Sequence, residues 1–257
     1  MHAQAAATPP SSSRQTGTST SWSLVLDSLE QCSYLPDRPS RLPLWMPSGQ
    51  LAPEEFDQLL AAGFRRSGMF AYRTQCPGCQ ACEPTRLPVG KFRLSRSLRR
   101  VLQRGDRECE IRWSRPSCDP VRLRLFNQHG EQRGLSDQRP PTTSQEYNAF
   151  LRATFCQTLE LSVWLDSQLV AIAITDMGAQ AASAVYTYFD PQAARFSLGT
   201  YAILKQWQWC QQRQLKFLYL GLYVADNQHL RYKARFVPQQ RLIDGQWQGF
   251  DFAEYQP

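Results

Sequence analysis

"LSVWLDSQLVAIAIT", residues 161–175, sets two apolar runs around the pair Asp166-Ser167. Runs of this length, rich in Val, Ile and Leu and broken by two turn-forming residues, predict a β-hairpin. Moving toward the C-terminus, "AASAVYTYF" (181–189) reads as a third strand. "SLGTYAILKQWQWCQQRQ" (197–214) then reads as a helix, with Ile203, Leu204, Trp207 and Cys210 on one face and Ser197 placed to cap its start. "KFLYLGLY" (216–223) is a fourth strand. Toward the N-terminus, "PPTTSQ" (140–145) is a loop and "EYNAFLRATF" (146–155) a helix.

Three antiparallel strands, a helix and a further strand are the order of the acetyltransferase-like (GNAT-type) fold, in the α+β class. Members that bind coenzyme A do so with a glycine-rich loop at the start of this helix, where free N–H groups cradle a pyrophosphate. Here that stretch is "ARFSLGTYA", with the single glycine Gly199. The expectation is therefore an acyl donor other than coenzyme A.

Composition narrows the class. In 257 residues, 42% are hydrophobic and 20% charged, which suits a chain with a packed core. The net charge of +7 favours a polyanionic partner, with nucleic acid first. The apolar stretch "LVAIAIT" (169–175) is far short of the roughly 20 residues a membrane helix needs. "MHAQAAATPPSSSRQTGTST" lacks an apolar signal core, so residues 1–22 are expected to form a disordered tail on a cytoplasmic protein. In that reducing setting, the eight cysteines and the cluster "CPGCQAC" (76–82) point to metal or redox chemistry rather than disulfides.

The first half carries further signals. "CSYLPDRPSRLPLWMP" (32–47) is proline-rich and extended. In "APEEFDQLLAAGFRRSG" a helix starts at Pro53 and stops at Gly63. "TRLPVGKFRL" (85–94) is read as strand. Seven basic residues then follow between Lys91 and Arg107. Leu98, Val101 and Leu102 recur at helical spacing, which leaves Arg96, Arg99, Arg100 and Arg104 on the open faces, either as phosphate contacts or as a solvated helix face.

Together, "CSYLPDR", "GFRRSGMFAYRTQCPGCQACEPTRLPV", "FRLSRSLRRV", "YTYFDP", "SLGTYAIL", "YLGLYV" and "RYKARFVP" resemble the aminoacyl-tRNA–protein transferases. More narrowly, they resemble the bacterial aspartate/glutamate leucyltransferases, relatives of the eukaryotic arginyltransferases. The resemblance implies a smaller cysteine-containing N-terminal domain over 23–105, an acetyltransferase-like domain over 106–240 and an extension over 241–257. It also implies transfer of leucine from a charged tRNA to proteins with an acidic N-terminus, marking them for N-end rule degradation. Arginine as the transferred residue is the alternative within the family. A zinc-dependent RNA-binding protein without catalysis is the alternative outside it. The long Ser/Thr-rich tail and His229 and Arg231 in "YVADNQHLRYKARF" depart from the family pattern.

The implied reaction needs two substrates held together, a neutral amine and a stabilised oxyanion. No Ser/His/Asp arrangement is required, and His2, His129 and His229 do not suggest one. Tyr188 and Tyr219 are candidates to orient the amine or ester, with packing as the competing role. Asp190 either shapes the turn before Pro191 or accepts a proton. Ser197, Gly199 and Thr200 open a helix whose N–H groups suit an oxyanion or the terminal adenosine's phosphate. In "RYKARF", an extended segment would align Arg231, Lys233 and Arg235 on one face, toward the acceptor carboxylate or the tRNA 3′ end. The resemblance also groups Cys32 with Cys76, Cys79 and Cys82 as four thiolates for zinc or an iron–sulfur cluster.

Overall fold

The structure is a computed structural model, and it describes residues 5–10, 20–134 and 140–251. The first half builds β1 (Trp22–Leu26), β2 (Leu29–Gln31), β3 (Pro39–Arg41), β4 (Leu44–Pro47), α1 (Pro53–Ala61), β5 (Arg65–Ser67), β6 (Phe70–Tyr72), β7 (Glu83–Pro88) and α2 (Arg96–Glu108). The second half builds β8 (Cys109–Ser114), α3 (Pro120–Gln132), α4 (Ser144–Tyr147), β9 (Gln157–Leu165), β10 (Gln168–Met177), β11 (Ala181–Phe189), α5 (Leu198–Gln212), β12 (Phe217–Tyr223), β13 (Gln239–Ile243) and β14 (Gln246–Phe250).

The 161–175 hairpin is present as β9 and β10. Asp166 and Ser167 both take positive φ, 47° and 64°, the backbone of a two-residue turn that follows the twist of paired strands. Strands β8 to β11 are antiparallel neighbours. Strand β12 joins β11 in parallel, because α5 crosses between them. That pairing covers only Ala181–Ser183 against Phe217–Tyr219. Beyond it β11 runs on to Phe189 without β12, while β12 stays paired on its other edge with β7, from Phe217 to Tyr223. The two parallel strands therefore part.

The eight-stranded sheet has the order β14-β13-β7-β12-β11-β10-β9-β8. One face is covered by α2 and α5. Leu98 and Leu102 of α2 and Tyr201, Leu204, Trp207 and Cys210 of α5 share a core there with Leu87, Ala171 and Leu218 of the sheet. Gly105 lets the two helices approach, since a Cβ at that position would fall 2.3 Å from the Tyr201 ring. The other face packs Leu125, Tyr147 and Leu151 over Ile172 and Ile174. It also carries a small four-stranded sheet, β1-β4-β6-β5, with α1 and the core residues Phe56, Leu59 and Phe64.

Several expectations change. The boundary at 105 does not divide the chain, because β7 lies within the large sheet between β12 and β13. Residues 241–250 are no appendage, because they continue the same sheet. The strand expected over 85–94 ends at Pro88, where the chain turns and Lys91 and Phe92 donate back to the Pro88 carbonyl. Residues 148–152 form a π-helical turn after α4 rather than regular helix. Part of the tail expected to be disordered is packed: the Ala7 amide donates to Gln75 Oε1 at 2.8 Å, and Trp22 begins a strand. His2 and residues 11–19 lie outside the described residues.

Candidate active site

Adjacent residues of β5 point their side chains in opposite directions. Arg66 turns inward to Asp176 of β10, with Nε–Oδ2 at 2.6 Å and Nη2–Oδ1 at 3.1 Å. Both side chains are almost wholly buried, at 1% and 0% exposure. Arg66 Nη1 also donates to the carbonyls of Gly68 and Ala153, and Thr158 donates to Asp176 at 2.7 Å. This pair ties the small sheet to the large one.

Arg65 points instead to the place where β11 and β12 have parted. Its guanidinium lies against the Cα of Gly221, so closely that a Cβ there would fall 2.2 Å from Nη1. Gly221 has φ +90°, which also favours glycine. Arg65 Nε is buried and has no hydrogen-bond partner.

Lys233 comes from the turn after β12, within reach of the Arg65 charge. The segment 231–235 is a short 3-10 helix and not the expected extended strand, so Arg231, Lys233 and Arg235 do not align on one face. Arg231 is exposed, Arg235 half-buried, and Lys233 only 5% exposed. Burial, reinforced by the Arg65 charge, lowers Lys233 to about 7. Burial raises the phenols of Tyr232 and of Tyr186 of β11, opposed at Tyr232 by Arg133, Arg235 and Arg65 and at Tyr186 by Arg133. Tyr34 completes the surround, with its carbonyl holding Asn227 Nδ2 at 3.1 Å. Burial first, and then the neighbouring Tyr72, push the Tyr34 phenol up to about 12. Arg65, against Gly221 of β12, and Lys233, with its Nζ 5.1 Å from the Tyr232 ring, thus reach this region from β5 and from the turn after β12.

Other predicted residues fall elsewhere. Tyr188 is fully buried and its hydroxyl meets that of Tyr147 at 2.5 Å. Burial raises its phenol steeply, which keeps it a neutral group within the core. Tyr219 is buried against Trp247, and its oxygen accepts from Arg86 Nη1 at 3.0 Å. Asp190 accepts from the Gln192 amide, so it shapes the turn before α5. Ser197 takes a left-handed conformation and makes no side-chain cap on α5. Gly199 lies against the Phe189 ring, and Thr200 is buried.

Arg96, Arg99, Arg100 and Arg104 are exposed on α2. Arg104 donates to the Arg195 carbonyl at 2.6 Å, and Tyr201 of α5 donates to Asp106 at 2.9 Å. The basic helix and the start of α5 are thereby one continuous surface.

The four cysteines are neighbours. Burial, then Cys76, Cys32 and Cys79 in turn, push Cys82 up to about 12. The Ala81 amide and Arg38 favour the Cys79 thiolate, and the Arg41 amide donates to Cys76 Sγ at 3.4 Å. As placed, they do not fit a metal: among the described residues no group of three or more His, Cys, Asp or Glu is arranged to hold an ion. Cys109 and Cys118 are half-buried, and Cys156 and Cys210 buried, all as free thiols.

The models of the arginine-tRNA-protein transferase family match residues 30–100, its N-terminal part, and 121–243, its C-terminal part. The chain belongs to this family. It is 36% identical over 220 residues to an aspartate/glutamate leucyltransferase from Vibrio parahaemolyticus, covering 85% of this chain and 93% of that one. It is 37% identical over 218 residues to one from Marinobacter nauticus, covering 84% and 91%. Among solved structures, FemX aligns with a TM-score of 0.44 at 9% identity, over 65% of this chain and 59% of its own. Membership makes the protein a transferase, and the converging cations lie within the matched segments. No helix of the described residues is long and apolar enough to cross a membrane.

Sequence reasoning missed Arg65. It stood inside a quoted motif, but nothing in "GFRRSG" distinguishes the arginine that pairs from the one that does not. Strand alternation would have separated them, had the three-residue β5 been recognised as strand.

Proposed function

We propose that the protein transfers leucine from leucyl-tRNA to the α-amino group of proteins that begin with Asp or Glu, on an acetyltransferase-like scaffold in the cytoplasm. The product is marked for degradation by the N-end rule pathway. The observation that carries this reading is the group of cations where β11 and β12 part, with Arg65 and Lys233 lacking a carboxylate partner among the described residues. An acidic acceptor supplies that partner.

The donor is an ester and is already activated, so no enzyme nucleophile is needed. The acceptor amine attacks the leucyl carbonyl carbon. The C–N bond forms, the C–O bond to the ribose breaks, and the amine proton leaves with the 3′ oxygen. Arg96, Arg99 and Arg100 hold the tRNA by its phosphates, with Arg104 fixing the basic helix against the start of α5. Gly199 and Thr200, in the first turn of α5, present free N–H groups to the ester end or the last phosphate. Zinc or an iron–sulfur cluster on Cys32, Cys76, Cys79 and Cys82 would require the sulfurs to draw together, and no step of the transfer passes through one. Metal analysis of anaerobically purified protein tests that occupancy.

The deciding experiment is transfer of radiolabelled leucine or arginine from charged tRNA to peptides that begin with Asp, Glu, Lys or Ala. Leucine on the Asp and Glu peptides alone is the expected result. Arginine there would move the donor, and no transfer by folded protein would overturn the reading. Replacing Arg99 and Arg100 by Ala is expected to reduce the dependence of tRNA binding on log salt by about 2 in slope.

A further inference from the structure

A buried cation without a counter-ion is costly, and two side by side cost more. Lys233 is such a cation, and Arg65 is half-buried with its Nε enclosed. Lys233 is 5% exposed, and Arg65 Nε has no bonding partner. Neither is joined to a carboxylate among the described residues. The Tyr232 ring, 5.1 Å from Lys233 Nζ, offers only its π face.

The backbone is shaped to keep Arg65 there. Gly221 leaves open the one space that a side chain on β12 would fill, and the guanidinium occupies it. Because β5 alternates, Arg65 cannot reach the carboxylate that Arg66 uses. Lys233 is delivered by a 3-10 turn whose neighbours Arg231 and Arg235 remain more open to solvent. Two donors of different shape, a planar fork and a compact ammonium, therefore face one small region that the protein itself leaves without an anion.

We infer that Arg65 and Lys233 together form a socket for the side-chain carboxylate of the acceptor's first residue. This rests on the acceptor reading above and assigns the acidic specificity to two residues, one from the small sheet and one from the 3-10 turn after β12. Arg231 and Arg235 are left outside the socket. A phosphate of the tRNA has related chemistry, and the test separates the two sources.

The test measures binding of fluorescent peptides that begin with Asp or with the isosteric Asn, by anisotropy, to wild type, Arg65→Met, Lys233→Met and Arg65→Lys. Binding of charged tRNA is measured in parallel, and thermal melts confirm folding. Wild type is expected to prefer Asp by about 10- to 100-fold, the worth of charge-assisted hydrogen bonds. Each Met variant is expected to lose most of that preference and keep its tRNA affinity, while Arg65→Lys, which retains the charge, keeps part of it. Equal binding of Asp and Asn peptides by wild type would overturn the socket. So would Met variants that keep the preference, or that lose tRNA affinity instead. A wild type that prefers Asp but transfers no leucine would support the socket and refute the proposed reaction, so the two fail separately.

Discussion

Arg65 and Arg66 are neighbours in one strand, with the same charge and the same length. One is neutralised inside the protein by Asp176, whose carboxylate Thr158 also bonds, and donates to two carbonyls besides. The other lies against a glycine beside a buried lysine, with a buried nitrogen unbonded. The comparison teaches how a single fold separates architecture from binding. A charge that holds elements together is saturated with partners, whereas a charge kept for a ligand is held in place by shape.

The largest effect should come from breaking the saturated side. Asp176→Asn leaves Arg66 buried without its counter-charge, and a loss of about 3–5 kcal/mol is expected in denaturant unfolding. Gly221→Ala should cost less, about 1–3 kcal/mol, from its positive φ and the collision with Arg65. It should also lower the preference for acidic peptides, since the guanidinium must move. By contrast, Arg65→Met should alter stability by about 1 kcal/mol or less, because no bonded partner is left stranded. If Arg65→Met proved as damaging as Asp176→Asn, the distinction between the two arginines would fail.

A finer test uses protons. Lys233, lowered to about 7 by burial and the Arg65 charge, is mostly neutral at pH 8. An arriving carboxylate favours the charged amine, so binding an Asp peptide at pH 8 should take up a fraction of a proton. At pH 6 the lysine already carries its proton, and the uptake should vanish. Calorimetry in buffers of different ionisation enthalpy reads this directly. The same shift has a sign for folding. Between about pH 7 and the ordinary lysine range the unfolded chain binds the extra proton, so the lysine's penalty is full below pH 7 and fades as pH rises.

Much of the second half was legible in the sequence because its signals are local. Asp166-Ser167 dictates its own turn, and the apolar period of 203–210 dictates its own helix. What was hidden is long-range. Nothing in "TRLPV" says that it will lie between β12 and β13, and nothing in "RYKARF" says that a tight turn will bury its lysine. Tyr188 looked chemical because it stands in a motif, yet its partner is Tyr147, 41 positions away. The acceptor side of the site was half visible: Lys233 was named from its motif, while Arg65 became distinct only when Gly221 was set beside it.

The position of β7 has a consequence for biosynthesis. A strand made early, Glu83–Pro88, is flanked by two made late, Phe217–Tyr223 and Gln239–Ile243. While the ribosome is still adding the last residues, that early segment has no permanent neighbour on either edge. The small sheet can assemble first, but the large one closes only when the end of the chain returns to its beginning. Late closure of this kind slows folding and exposes an unpaired edge meanwhile. A nascent chain stalled before residue 217 should therefore be a far better client for chaperones than the released protein.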